Sequence, residues 1–420
     1  MRAKDLADGL EFRFDCFDCI DFEALRETLN TLSIPVIFTL RKTFQEELIE
    51  KLILLKPEYL DLEWDRDPAF FKKILSSYPD IKIISSYHNF EETPKDLEAV
   101  FRKMHIQGVH TYKIACMAKS TLDALRMLAF VKEHQIIGLC MGEMGQITRI
   151  LAPVFGSPIN YAFYEEALAP GQLSLKELKD IYHYHSLNRE TSLYGLIGNP
   201  VRESIGHLTH NEEIRKLGLN ALYIKMAILP SELEEFFLLI KKIPFCGLSV
   251  TMPLKEAVIP FVEEINPIGA VNTLSFQEGK ILGLNTDGIG AINALEEKTS
   301  ISNKKIIIIG AGGAAKAIAY VAKQKGALVT LLNRTPNRIA LSLSKMEEIA
   351  FTGYDILINC TPEPLPIDPK YILPSAIVMD TKTVPHAKSL LSYATHKIYG
   401  IEMFKKQAEL QRALWFKKEV

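Results

Sequence analysis

The sequence predicts an α/β protein made of two successive parallel-sheet domains. Three patterns carry this expectation. Short β-branched runs alternate with helix-like segments up to about residue 165, a polar break falls near residue 190, and a strand, glycine turn, helix and second strand follow one another over 304–335. At 420 residues the chain is also too long for one ordinary hydrophobic core.

In the first half the apolar runs are GLEFRF, PVIFTL, YLDLEW, IKIISS, VHTYKIA, IIGLCM and INYAF, so seven strands are expected. That many strand and helix repeats imply a (β/α)8-type barrel. Alternation along the first run places Glu11, Arg13 and Asp15 on one face and Leu10, Phe12 and Phe14 on the other. Charges aimed into a barrel are costly unless paired or bound to ligand, which marks Glu11 and Arg13 as part of a site. In VHTYKIA the same alternation turns Lys113 inward with Thr111 and Ala115. Desolvation favours the neutral amine of a lysine, which can attack a carbonyl to form an imine. His88, in SSYHNF at the end of a strand, is placed to remove a proton beside that imine.

Between residues 173 and 194 a helix-like segment gives way to the polar stretch NRETS and then to a new strand, LYGLIG. Domains are therefore expected at 1–188, 191–290 with a C-terminal helix at 400–420, and 291–399. In the last of these, GAGGAA (Gly310, Ala311, Gly312, Gly313, Ala314, Ala315) follows the run Ile306–Ile309 and opens an apolar-periodic helix. Glycines there let the backbone turn tightly and approach a pyrophosphate at the helix N-terminus, as in a Rossmann lobe. The second strand ends in Asn333, Arg334 and Thr335, with Arg338 a turn later, where an NAD site would carry an acidic residue. A carboxylate would repel a 2′-phosphate and guanidinium groups would bind it, so NADP is the expected cofactor. Hydride delivery to a ketone needs a proton donor, and Lys255 follows the strand CGLSVTM at the opening of a helix.

Charge narrows the partners. Lys and Arg number 49 against 51 for Asp and Glu, so no global field draws nucleic acid or an anionic membrane, and small molecules are expected instead. No apolar run approaches the ~20 residues of a membrane span, and the N-terminus lacks a secretory h-region, so a cytoplasmic location is expected. The six cysteines are expected to be buried reduced thiols. Cys16 and Cys19 form a CxxC without a second ligand pair at matching spacing, so no metal is expected.

Six motifs in order, GNPVRESIGHLTHN, SVTMPLKE, GAVNTL, GLNTDG, GAGGAA and NRTPNR, make the segment from Leu193 to Val420 resemble the shikimate dehydrogenase family. The resemblance implies a catalytic pair of Lys255 and Asp287. It puts Ser204, Thr251, Asn272 and Gln407 on the substrate's hydroxyls and carboxylate, and Gly400 with the glycine turn and the Asn333–Arg338 loop at NADP. The chain departs from the family's S-x-S-P at Gly206 and His207, and from its D-x-x-Y at Thr383. The first half resembles type I 3-dehydroquinate dehydratase through EFRFD, SYHNFEETP, YKIACM, GQITR and ALAPGQ. This implies Lys113 as Schiff-base lysine and His88 as acid and base, with Arg13, Arg41, Arg149 and Gln172 on the substrate and Glu11 near its ring hydroxyls. Gln45 stands where that family often has Glu beside the histidine, and Leu168 where a Ser should bind substrate. That family also carries a strand before the helix matching RAKDLADG, so the barrel's first strand is expected to be missing here, leaving unpaired edges.

Together the two resemblances imply dehydration of 3-dehydroquinate to 3-dehydroshikimate and NADPH reduction of that product to shikimate. Two rivals are a dehydrogenase on an inactive barrel scaffold and a metabolite-sensing regulator; the latter lacks support, since Lys113, His88, Lys255 and Asp287 are all present and no basic helix-turn-helix is evident.

Overall fold

The structure, a computed structural model, describes residues 7–17, 19–41, 45–265, 267–384 and 386–416. Most of the helix expected over RAKDLADG, and the last four positions of the helix expected at 400–420, lie outside the described residues. By its contacts the chain divides into two compact units. One comprises Met1–Ser192, Ile205–Ile228 and Glu234–Pro244; the other comprises Leu193–Ser204, Leu229–Leu233 and Phe245–Val420.

In the first unit six strands, β1 (Leu10–Arg13), β2 (Val36–Leu40), β3 (Tyr59–Glu63), β4 (Lys82–Asn89), β5 (Thr111–Met117) and β6 (Ile137–Met141), pair in chain order. All five pairings are parallel, with helices between successive strands. One face packs Val36, Phe38, Leu40, Leu60, Leu62 and Ile83 against helix residues such as Ile49, Leu52, Phe71 and Ile74. The other gathers Ile37, Ile84, Ala115, Ile137, Leu139 and Met141.

The sheet is open, with β1 and β6 at its edges, as the expected unpaired edges require, whereas the expected seventh strand over INYAF does not form among the described residues. Only a one-residue bridge, Phe163 to Ser174, remains of it. The reason lies on the free edge of β6. The Cys140 N–H donates to Thr148 Oγ1 at 2.9 Å and its carbonyl accepts from Arg149 Nη1 at 2.5 Å, so side chains of the next helix hold groups that a seventh strand would pair. The Gly142 N–H is likewise taken by Pro170 O at 3.0 Å.

Helix Thr121–His134 is opened by Asp123, whose Oδ2 accepts from the Ser120 N–H at 3.1 Å. It accounts for two segments of the second half clustering with the first unit. Thr121 Oγ1 donates to Ala227 O at 2.8 Å, and Arg126 pairs with Glu235 at 2.6 Å.

The second unit holds two sheets. In one, β10 (Glu264–Ile265), β12 (Lys280–Leu284), β11 (Thr273–Gln277), β9 (Phe245–Val250) and β7 (Ser192–Gly198) lie side by side, mixed in direction, while β8 (Ala221–Ala227) clusters with the first unit. The other sheet is wholly parallel, in the order β15 (Leu341–Ser342), β14 (Leu328–Asn333), β13 (Lys305–Ile309), β16 (Ile356–Asn359), β17 (Ile377–Asp380), β18 (His396–Ile398). This is the Rossmann order, with its switch point between β13 and β16, where a dinucleotide crevice opens. Among the described residues no helix is long and apolar enough to cross a membrane.

All six cysteines are free, but only Cys116 and Cys140 are buried; Cys16 and Cys19 are exposed, which corrects the expectation of buried thiols throughout. The exposed pair lies at and after the short turn Phe14–Cys16, of which Phe14 alone is buried.

The helix Gly400–Trp415 is anchored by Trp415, whose Nε1 donates to Leu274 O at 3.1 Å. A Cβ on Gly247 would lie 2.2 Å from that Nε1, with two further ring atoms within 2.6 Å. Gly247→Ala should therefore cost about 1–3 kcal/mol by overpacking and lower the melting temperature by several degrees. A melting curve identical to the parent would show that the indole moves aside freely.

Candidate active sites

Strands β1, β3, β4 and β5 carry a largely buried charged cluster. Lys113, about 4% exposed, donates to Asp61 Oδ2 at 2.7 Å, lies 3.9 Å from Glu11 Oε1, and sits 4.1 Å from the ring centre of Tyr161. The sequence reading left this lysine unpaired in the interior; the structure corrects that, giving it a fully buried carboxylate partner. Burial alone would push the Asp61 carboxyl up, but Lys113, Arg41 and His88 outweigh it and hold it down at about 2. Glu11 accepts from Thr39 Oγ1 at 2.5 Å, which fixes it across the β1–β2 pair.

One register step further along, His88 Nδ1 lies 2.9 Å from Glu63 Oε1, and the same oxygen accepts from Arg41 Nη1 at 2.8 Å. Register places Lys113 opposite Ser86 and His88 opposite Ala115, so the lysine and the histidine stand on neighbouring strands. Burial pulls the His88 pKa down, against the opposing effect of its hydrogen bond to the Glu63 carboxylate. Gln45, the position noted for a missing Glu, is exposed at the start of the following helix, and Glu63 of β3 supplies the carboxylate to the histidine.

The remaining barrel residues are less gathered. Arg13 forms a two-point pair with Asp15, at 2.9 and 2.7 Å. Arg149 is 1% exposed and bonds to β6 rather than to the Lys113 group; its Nε is buried without a partner, and burial pushes the guanidinium down to about 10. Gln172 uses its amide oxygen to hold its own loop, accepting from the Leu168 and Ala169 N–H groups at 2.7 and 3.1 Å, while the Leu168 side chain is exposed.

In the second unit Lys255 Nζ donates to Asp287 Oδ2, and Asn272 Nδ2 donates to Asp287 Oδ1 at 2.9 Å. Asp287 is the first residue of helix Asp287–Glu296, where the helix dipole favours a carboxylate. Gln407 Oε1 accepts from Asn272 Nδ2 at 3.3 Å and from Thr286 Oγ1 at 3.2 Å, so four expected residues, Lys255, Asp287, Asn272 and Gln407, form one network. Thr251 lies just past β9, its N–H on Ile197 O at 2.9 Å, and Ser204 lies in the loop after β7, its N–H on Val201 O at 3.1 Å. Both are partly exposed in loops that follow strands of the same unit.

The glycine turn abuts this group. Gly310 takes φ +117°, which a side chain would strain, and its N–H donates to Leu332 O at 2.7 Å. A Cβ on Gly313 would meet the Lys255 side chain at 3.2 Å, whereas one on Gly312 would meet nothing within 4 Å, so the backbone there faces open space at the start of helix Gly313–Gln324. Ala315 is buried under that helix, and Ala311 packs against the adjoining core. Arg334 and Arg338 are exposed, without an ion-pair partner among the described residues, while Asn333 Nδ2 donates to Thr335 O at 2.9 Å. Open glycine backbone beside free guanidinium groups fits a phosphorylated dinucleotide. Gly400 is buried where a Cβ would lie 2.1 Å from Lys382 O, so it lets the loop after β17 pass close to the helix start.

Sequence reasoning missed Asp61 and Glu63. Both sit in YLDLEW, alternating with Leu60 and Leu62, the same pattern that singled out Glu11 and Arg13. It also missed Thr286 and Gln411; the latter, one turn after Gln407, donates to Thr273 Oγ1 at 2.9 Å and accepts from Ser249 Oγ at 3.0 Å. Thr286 stands inside the GLNTDG motif, whereas no sequence pattern marks Gln411.

Fold and sites define a two-centre α/β enzyme class, with a lysine–carboxylate centre in a parallel half-barrel and another beside a Rossmann crevice. Residues 1–189 match the family model of type I 3-dehydroquinase, and residues 196–274 match that of the shikimate dehydrogenase substrate binding domain. The "Shikimate biosynthesis protein AroDE" of Chlamydia pneumoniae is 37% identical over 99% of this chain and 91% of its own length. The "Bifunctional 3-dehydroquinate dehydratase/shikimate dehydrogenase, chloroplastic" of Arabidopsis thaliana is 31% identical over 97% of this chain and 77% of its own. A crystal structure of shikimate dehydrogenase in complex with NADP+ superposes with a TM-score of 0.50 at 31% identity, over 55% of this chain and 91% of its own. The chain belongs to the family of bifunctional proteins that join a type I 3-dehydroquinase to a shikimate dehydrogenase.

The Glu63 contact yields a measurable consequence. In an NMR titration the His88 imidazole should titrate below the ordinary value of about 6.5, and Glu63→Gln, by removing an acceptor that favours the charged ring, should lower it further. Because the folded pKa is depressed, the accompanying loss of stability begins as pH falls through the ordinary value and is complete below the folded one. A midpoint that rises in Glu63→Gln would contradict this arrangement.

Proposed function

We propose that this chain converts 3-dehydroquinate to 3-dehydroshikimate at Lys113 and reduces 3-dehydroshikimate to shikimate at Lys255 and Asp287. The reading rests above all on the Lys113–Asp61 pair with His88 and Glu63 on adjoining strands. Once Lys113 has passed its extra proton to a neighbouring base, its amine attacks the substrate ketone and water leaves to give an imine. With Nδ1 held by Glu63, His88 Nε2 is free to take the proton from the carbon beside the imine and to return it to the departing ring hydroxyl. Glu11 and Arg41, both in the cluster, and Arg13, Arg149 and Gln172 around it are assigned to the substrate's hydroxyls and carboxylate.

In the second unit NADPH, when bound, supplies the hydride. Gly310 through Ala315, Asn333, Arg334, Thr335, Arg338 and Gly400 would hold it, the arginines facing the 2′-phosphate. Lys255 donates a proton to the substrate's ketone oxygen, with Asp287 orienting the amine and Asn272 fixing the carboxylate. Asn272, Gln407, Thr251 and Ser204 are neutral hydrogen-bonding groups suited to a polyol acid. The work divides as 1–188 for dehydration, 191–290 with 400–420 for the reduced substrate, and 291–399 for the cofactor. A cytoplasmic enzyme without nucleic-acid or membrane ligands fits the near-balanced charge.

Supplied with 3-dehydroquinate and NADPH, the chain should form shikimate, and borohydride added with 3-dehydroquinate should leave a covalent adduct that peptide mapping places on Lys113. Reduction of added 3-dehydroshikimate without any adduct would instead favour a dehydrogenase on an inactive scaffold.

Arg334→Ala should weaken NADPH binding about 10- to 100-fold, the loss of one charged hydrogen bond, while barely changing NADH binding. Equal weakening of both cofactors would remove Arg334 from the phosphate site.

A further inference from the structure

Tyr161 is the polar group of the barrel that the foregoing reading leaves without work. It lies in the segment where a seventh strand was expected, is nine-tenths buried, and belongs to the inner cluster with Ile37, Ala115 and Leu139. Its ring face covers the Lys113 amine, with 4.1 Å from Nζ to the ring centre, yet its hydroxyl is buried and has no hydrogen-bond partner among the described residues. A phenol buried among apolar residues normally finds a partner. The charged groups that act on it electrostatically are Asp61, Glu11, Arg41 and Arg13, which are the groups gathered around the amine.

Resting on the reading of Lys113 as the imine-forming residue, we propose that Tyr161 is a further substrate-contacting residue of the dehydratase centre. Its hydroxyl donates a hydrogen bond to an oxygen of the cyclic polyhydroxy keto acid bound to Lys113. The geometry favours this because the carbon that Lys113 attacks lies one bond from Nζ, beside the ring that covers the amine, and carries an oxygen until water leaves it on imine formation. The position noted for a substrate-binding serine is filled by Leu168, which is exposed and offers no hydroxyl, so a donor is lacking on that side. Burial holds the phenol protonated to well above its ordinary range, which suits a hydrogen-bond donor and not a group that must release its proton. Tyr161 therefore binds and orients, and His88 carries the proton transfers.

Tyr161→Phe keeps the ring over Lys113 and removes only the hydroxyl. Loss of one neutral hydrogen bond corresponds to about 3- to 10-fold in kcat/KM for 3-dehydroquinate, expected mainly as a raised KM, with an unchanged melting temperature. Borohydride trapping of the variant at saturating substrate should still modify Lys113. As a readout independent of turnover, calorimetry of 3-dehydroshikimate binding to Lys113→Met and to Lys113→Met/Tyr161→Phe should show the same weakening. If the variant matches the parent in kcat/KM and the two binding constants agree, the hydroxyl does not touch substrate and the proposal is overturned, while the imine reading stands on its own adduct. If the parent itself gives neither turnover nor adduct, the imine reading falls and takes this proposal with it.

Discussion

A lysine taken out of water inside a sheet structure has to be met by a carboxylate, and much of this molecule is arranged around two such meetings. Lys113 with Asp61 lies within two strands and Lys255 with Asp287 near the starts of two helices, with at least one member of each pair buried. Removing one partner of a buried pair typically costs about 3–5 kcal/mol, because the other charge is left uncompensated. The pairing consequently constrains its neighbours. Glu11 is tied to Thr39, Glu63 to Arg41 and His88, and Asp287 to Asn272.

The two pairs differ in what surrounds them, and the difference matches the chemistry assigned to each. Lys113 lies under an aromatic ring among arginines and carboxylates, with a histidine on the next strand. That setting offers both a nucleophile and a separate proton carrier. Lys255 is bordered by amide and hydroxyl groups and by the Gly313 backbone, a setting that positions one amine beside a cofactor turn and offers no second base of histidine type. On the proposed reading, the same kind of ion pair serves covalent attack in one case and simple proton donation in the other.

Groups that are satisfied and groups that are not divide the sites further. Asn272, Gln407 and Gln411 spend their hydrogen bonds on one another and on strand backbone, so that network is rigid before any substrate arrives. Asp61 Oδ1, Arg149 Nε and Tyr161 Oη are instead buried without partners among the described residues. Leaving such atoms unpaired is unfavourable in a finished core and useful in a site that a polar ligand completes.

What the sequence determined by itself was local. Period-two alternation was enough to find β1 to β6 and to turn Glu11 and Lys113 inward, and the glycine spacing with its flanking strands was enough to find the crevice between β13 and β16. The motifs also identified Lys255 and Asp287, although 31 residues separate them, because each stands in a recognisable short run. Tertiary structure decided the partners. Asp61 meets Lys113 across β4, which lies between their strands, so no short window contains both. The seventh strand was lost because Thr148 and Arg149 hold Cys140 on the edge of β6, a competition between side chain and backbone that hydrophobic pattern does not encode. Tyr161 has an ordinary place in an apolar run, and only folding brings its ring over an amine 48 positions earlier in the chain. Periodicity records which way a residue faces; which residue it faces depends on how distant segments are brought together.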